Sequence, residues 1–191
     1  MKEYIKELNY LFEHFYAFNF SFRKLSRSDT FPLYTATQHE SFNSFLGWSK
    51  PNSIEEMSLI IDEFIEDIDK NNISMFSIVT HEGEWVGNVK VMMFLDSVAI
   101  SIWYSPKFWK KPIILKSFQA SLFLTFEIFP KIYARIVQNY ATMDKMVSHL
   151  NFELISQAYV QHRDNHTINC NLYLLNKHPF VSNFILNLTN Y

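Results

Sequence analysis

The stretch Ala99–Phe129 constrains the fold of this chain more than any other: AISIWYSP, then KFWKKP, then IILKSFQASLFLTFEIF. It reads as a buried strand, a tight loop bounded by Pro106 and Pro112, and a long apolar helix with Pro112 as a favourable first residue. A strand whose end meets a helix N-terminus makes an anion site. The first-turn N–H groups have no intrahelical acceptor there, and the macrodipole adds partial positive charge. Lys110 and Lys111 add two full charges in the same loop. The helix lies between the strand Val98–Tyr104 and a second strand, Lys131–Gln138. A helix of that length is the right-handed crossover that parallel strands require, so these two are expected to run parallel.

The rest of the composition sets bounds. At 191 residues, 48% hydrophobic and 17% aromatic, the chain suits one packed domain rather than a disordered segment. With 17 Lys and Arg against 19 Asp and Glu, no overall field attracts nucleic acid or an anionic membrane. The one cysteine, Cys170, cannot form an internal disulfide, and its strand-like setting reads as a small buried hydrophobe before a reactive thiol. No run approaches the roughly 18 apolar residues of a membrane span, so the expectation is a soluble, cytoplasmic protein.

Residues 2–18 have helical spacing, with Ile5, Leu8, Phe12 and Phe15 on one stripe. Such a broad apolar surface needs cover, either by this domain or by a second copy; a homodimer through the terminal helices is the alternative. Phe20–Leu25 alternates as a strand, and Arg27-Ser28-Asp29 turns the chain into a helix through Leu33 and Tyr34. Ser53 with Glu56 is a capping box opening an amphipathic helix with Met57, Ile60, Ile61, Phe64, Ile65 and Ile68 inward. Ser74–Thr80 and Trp85–Leu95 are strands joined at the turn His81-Glu82-Gly83-Glu84. After the long helix come the strand Lys131–Gln138, a short helix Ala141–Leu150, and a hairpin of Phe152–Tyr159 with Thr167–Leu175. Residues 181–191 repeat apolar residues at helical spacing, as a C-terminal flank. The order is a strand, two helices, a run of strands, then helix, strand, helix and two strands.

Ile102-Trp103-Tyr104-Ser105-Pro106, followed by Phe108-Trp109-Lys110-Lys111-Pro112-Ile113-Ile114, resembles the acyl-CoA-binding core of the GNAT acetyltransferases. The nearest branch is the RimJ/RimL-like one, with Tyr-Trp-x-x-Pro and then Tyr-Trp-Gly-x-Gly-Tyr-Ala. Phe45-Leu46-Gly47-Trp48, Trp85-Val86-Gly87-Asn88, Leu150-Asn151-Phe152 and Arg163-Asp164-Asn165 follow the family in order. The resemblance covers residues 20–180, leaving 1–19 as an extra helix and 181–191 as a flank. It implies an α/β (α+β) fold with a mixed, mostly antiparallel sheet and helices on both faces. It also implies that the two parallel strands splay apart at their C-terminal ends.

The resemblance implies acetyl-CoA, or another acyl-CoA, as cofactor, and as partner an amine-bearing protein or small molecule. Transfer needs a cradle for the diphosphate, donors to the thioester oxygen, and a route for protons. Ile102, Trp103, Tyr104, Lys110, Lys111, Ile113 and Asn139 are the cofactor-binding candidates, and Thr142 and Tyr140 the catalytic ones. The departures are equally specific. Lys110 and Pro112 stand at the two glycine positions of the loop, and Ile114 at the small one. Ala99 stands where many relatives carry a glutamate. Glu82, Glu84, His162 and Asp164 are further titratable candidates that also read as turn residues. His39, His149, His166 and His178 have no metal-ligand spacing, and no metal is expected. Two readings follow: an N-acetyltransferase with an atypical diphosphate loop, or a non-catalytic protein of the same fold that binds a partner.

Overall fold

The hydrophobic runs form one sheet, and the amphipathic segments cover it from both sides. The computed structural model describes residues 2–42, 50–70, 73–138, 141–161, 167–178 and 180. In chain order these hold α1 (Lys2–Glu13), β1 (Tyr16–Ala17), β2 (Phe20–Lys24), α2 (Thr30–Thr37) and α3 (Ile54–Lys70). Next come β3 (Ile73–Thr80), β4 (Trp85–Phe94), β5 (Ser97–Tyr104), α4 (Pro112–Phe126) and β6 (Lys131–Val137). Helix α5 (Ala141–His149) and the strands β7 (Glu153–Gln161) and β8 (Thr167–Asn176) follow. The eight strands lie in the order β1-β2-β3-β4-β5-β6-β8-β7. Among the described residues, only β5 and β6 pair in parallel. The mixed, mostly antiparallel sheet is thus as expected.

Strand alternation sends Phe22, Phe76, Val89, Ile100 and Ile132 to one face, under α1, α4 and α5. It sends Met75, Trp85 and Trp103 to the other, under α2 and α3. Helix α1 lies on its own domain: Leu8 and Phe12 are fully buried, and the Phe12 ring stacks on Phe76 at 4.4 Å. This helix is shorter than its apolar stripe suggests. It stops at Glu13, and Tyr16–Ala17 turns back on Phe20–Ser21 as a hairpin with Phe18 at φ 64°. The stripe continues because Phe15 and Phe18 pack on Phe20 from the hairpin, at 6.0 and 5.9 Å between ring centroids.

Along α4, Phe118, Leu122 and Phe126 are buried as their spacing predicts, while Leu115 is half-buried. Burial also reaches Ser117, Ala120, Ser121, Leu124 and Thr125, because α1 covers a second side of the helix. The hydroxyls are tolerated there by turning back on the helix: Ser121 donates to the Ser117 carbonyl at 2.8 Å and Thr125 to that of Ser121 at 2.7 Å. The pairing of β4 with β3 shifts register at Ile78 and Val79, while its pairing with β5, unbroken from Phe94 and Ser97, sets Gly87 opposite Tyr104. A Cβ on Gly87 would lie 2.2 Å from the Trp103 carbonyl oxygen, so only glycine fits. Residues 181–191, Phe45–Trp48 and Arg163–Asn165, which the sequence reading singled out, lie outside the described residues.

Candidate functional site

Parallel pairing of β5 with β6 lasts three residues, Val98 with Ile132, Ala99 with Tyr133 and Ile100 with Ala134. Beyond Ile100 the strands part. Strand β5 continues to pair with β4 as far as Tyr104, and β6 with β8 as far as Val137. One side of the Ser101–Tyr104 backbone therefore faces an opening in the middle of the sheet. Ile102 and Tyr104 point to the α4 face, Ser101 and Trp103 to the α2 and α3 face.

The chain leaves this opening through a loop that is tied at several points. Ser105 N–H donates to the Val86 carbonyl at 2.8 Å, and the Trp109 indole N–H to the Tyr104 carbonyl at 2.9 Å. Lys111 N–H donates to the Phe108 carbonyl and Ile114 N–H to that of Lys111. Pro112, first in α4, has no N–H to give. Among the described residues, the N–H groups of Lys110 and Ile113 meet no acceptor. Lys110 adopts φ 74°, the left-handed conformation that glycine takes without strain. Its side chain is exposed, whereas the Lys111 ammonium lies 4.6 Å from the centroid of the Phe108 ring.

The Tyr104 hydroxyl is buried, 2.9 Å from the Ile114 carbonyl and 3.1 Å from Ser117 Oγ. Burial pushes the phenol's pKa above its ordinary value, with the Ser117 bond opposing. Tyr104 is thereby a tie between the end of β5 and the first turn of α4.

On the α2 side of the same loop lies an open groove of about 510 Å³. Arg23, Phe31, Thr35 and His39 form one wall, and Glu84, Trp85 and Lys107 the other. Ser105 and Pro106, which follow β5, also line it. Arg23 is held by the fully buried Asp29 through bonds of 2.9 and 2.6 Å, and Lys107 is ion-paired with Glu84. The His39 ring sits edge-on to Trp109 at 5.2 Å.

No protein-family model matches the sequence, and no curated protein does. Solved structures do match. Spermidine N-acetyltransferase from Vibrio cholerae, in complex with CoA and spermine, is similar at TM-score 0.70 and 14% identity, covering 85% of this chain and 98% of its own. An acetyltransferase of the GNAT family from Bacillus anthracis gives 0.69 at 14%, covering 84% of this chain and 96% of its own. RimL, a ribosomal L7/L12 alpha-N-protein acetyltransferase, gives 0.69 at 15%, with 84% and 92% covered. The chain has the GNAT fold.

Within the GNAT fold the sequence-derived candidates fall into three groups. Ile102, Trp103, Tyr104, Lys110, Lys111 and Ile113 are brought together around the end of β5 and the start of α4. Asn139 and Tyr140 lie outside the described residues, as do His162 and Asp164; Thr142 enters by its backbone, in the first turn of α5. Glu84 lines the groove, with Glu82 in the same turn. Ala99 pairs with Tyr133 in the closed part of the sheet, so the residue on its face where the strands part is Ser101. The sequence reading named His39 only as a histidine without ligand spacing and Trp85 only within a strand motif, and it passed over Arg23; that the three share a groove escaped it, because they come from separate segments with no shared motif. Lys90, opposite Ser101, was missed too: it is half-buried beside Phe64, and burial holds its pKa below the ordinary lysine value against the pull of Asp67. The periodicity of β4 marks it as a half-buried position, but no spacing distinguishes it from a surface lysine.

Proposed function

We propose that this chain is an acyl-CoA-dependent N-acetyltransferase acting on a primary amine, either a protein N-terminus or a small molecule. The observation that carries the reading is the parting of β5 from β6 after three paired residues, beside a cationic loop that keeps a left-handed residue at its corner. The bound cofactor supplies an acyl group already activated as a thioester. The residues present fit it. The exposed edge of Ile102–Tyr104 offers main-chain groups to the amides of a pantetheine arm and a donor to the thioester oxygen. The N–H groups of Lys110 and Ile113, with the ammonium groups of Lys110 and Lys111, would face the diphosphate. Because Pro112 and Ile114 have no N–H to offer, lysine charge carries more of that contact than in a glycine-rich loop. Thr142 or Tyr140 is the proposed hydroxyl that protonates the leaving thiolate, and Asn139 a further cofactor contact. The named neighbours support an amine acceptor of either kind, one being a spermidine N-acetyltransferase and another an alpha-N-protein acetyltransferase.

A thermal-shift series with acetyl-CoA and longer acyl-CoAs tests the reading. At a ligand concentration 100 times Kd the folded state gains about 2.7 kcal/mol, which raises the midpoint of a chain this size by roughly 5–10 °C. No shift with any acyl-CoA would favour the second reading, a non-catalytic GNAT-fold protein that binds a partner. The observation on that side is the start of α4, where Pro112 lacks a donor and Ile114 is buried with its N–H spent.

A further inference from the structure

We infer that the opening between β5 and β6 binds an acyl group ending in a carboxylate, so that thioesters of dicarboxylic acids are held more tightly than neutral ones of equal length. The inference rests on the reading of an acyl-CoA-dependent transferase and narrows its donor. Its basis is a row of side chains that belongs to neither the loop nor the groove. Val98, Ala99 and Ile100 pair with Ile132, Tyr133 and Ala134, so the next residues, Ser101 and Arg135, stand level where the pairing ends. On the other side of β5, Ser101 pairs with Lys90. Val89, Val91, Ile100, Ala134 and Ile136 all point to the core under α4, so Lys90, Ser101 and Arg135 between them share the opposite face. Their contacts agree. The Lys90 ammonium lies 5.9 Å from the centroid of the Phe64 ring on α3, and the Arg135 guanidinium carbon 4.6 Å from that of Phe94. Neighbouring strands are about 4.8 Å apart, so Lys90 and Arg135 are at least about 10 Å apart at the backbone, a span that two long side chains can close on one small anion.

The row is cationic and lacks a counterion of its own. Among the described residues, neither Lys90 nor Arg135 forms an ion pair. Asp67 on α3 pulls Lys90 toward its charged form, but burial outweighs that pull. Asp96, in the β4–β5 turn, is ion-paired with Lys131 and accepts from the Tyr133 hydroxyl at 3.3 Å. Ala99, next to Ser101 on this face, has no carboxylate to offer. Two cations across one strand repel each other; a carboxylate between them removes the repulsion and accepts charge-assisted hydrogen bonds from both. The acyl group is the reactant that reaches this row. With the diphosphate at Lys110 and Lys111 and the thioester oxygen on the edge Ile102–Tyr104, the chain beyond the thioester continues toward Ser101, where the opening closes. The transfer itself is unaltered: the amine nitrogen bonds to the thioester carbon, the carbon–sulfur bond breaks, and the proton lost by the amine ends on the thiol.

Calorimetry on the full chain tests this by comparing malonyl-CoA with propionyl-CoA and succinyl-CoA with butyryl-CoA, pairs of equal chain length, at one salt concentration. The expected result is binding at least about tenfold tighter for an acidic thioester than for its neutral partner. Arg135→Gln and Lys90→Met should each shrink that ratio by at least about threefold. Arg135 is exposed, so its variant reads the site without disturbing the core, and Lys90→Met keeps an unbranched stem beside Phe64. Ratios near one in both pairs, with the thioesters still bound, overturn the inference and leave the transferase reading intact. A preference for the acidic thioesters that neither variant reduces also overturns it, because the loop lysines then account for the attraction. Binding of no thioester at all removes the transferase reading and the inference with it.

Discussion

Lys110 shows how a backbone requirement outlasts the residue that usually meets it. Its φ of 74° costs a non-glycine residue roughly 1–2 kcal/mol, which an unbranched exposed side chain can bear. Lys110→Gly should therefore leave stability unchanged or raise it by up to about 1 kcal/mol in urea unfolding, and Lys110→Val should lower it by at least about 1 kcal/mol. Gly87 is the opposite case, a position that only glycine can occupy. An added Cβ would lie 2.2 Å from a main-chain oxygen of the neighbouring strand, so Gly87→Ala should cost about 3 kcal/mol. A cost under about 1 kcal/mol would mean that β4 and β5 lie farther apart here. The sequence marks Gly87 through a short family pattern, but the reason for the glycine is the partner strand β5, whose register is set by the hairpin that joins it to β4.

At the scale of elements, α4 and β5 form one unit pinned by Tyr104. Because burial raises its phenol pKa, the folded state prefers the neutral form, so the stability this gives is complete below the unfolded-state value near 10. Above about pH 10 the unfolded chain ionises first, and stability falls as the pH rises. Tyr104→Phe should lose about 1 kcal/mol at pH 7 and show a shallower decline between pH 10 and 11, measured by urea midpoints across pH. Phe118, 1% exposed and stacked with Phe152 at 6.2 Å, should cost roughly 3–5 kcal/mol as Phe118→Ala. The spacing of Phe118, Leu122 and Phe126 is enough to identify one inward stripe of α4. It does not reveal that α1 covers a second side, since the partner of a helix face is not written in the helix.

For the molecule as a whole, the proposed function has the opening in the sheet and the charge of one loop bear on the same ligand. Lys110→Ala with Lys111→Ala should weaken acetyl-CoA binding by roughly tenfold in calorimetry at low salt. At 1 M salt, where the Debye length is about 3 Å, wild type and variant should converge. Equal affinities at low salt would take both lysines out of the diphosphate site.

Apart from the short β1, which the sequence reads as the end of the first helix, the order of elements, the parallel pair across the α4 crossover and the cationic loop after β5 were legible in the sequence. Each depends on local properties: apolar period, proline and capping positions, and the length of a connection. The groove was not. Arg23, His39 and Trp85 have no common spacing, and become neighbours only because β2, the end of α2 and the β3–β4 turn converge at one end of the sheet. Which charges there are balanced was equally hidden. The partner of Glu84 is Lys107, 23 residues away, and a pairing at that distance is made by strand register and loop closure rather than by anything local to either residue.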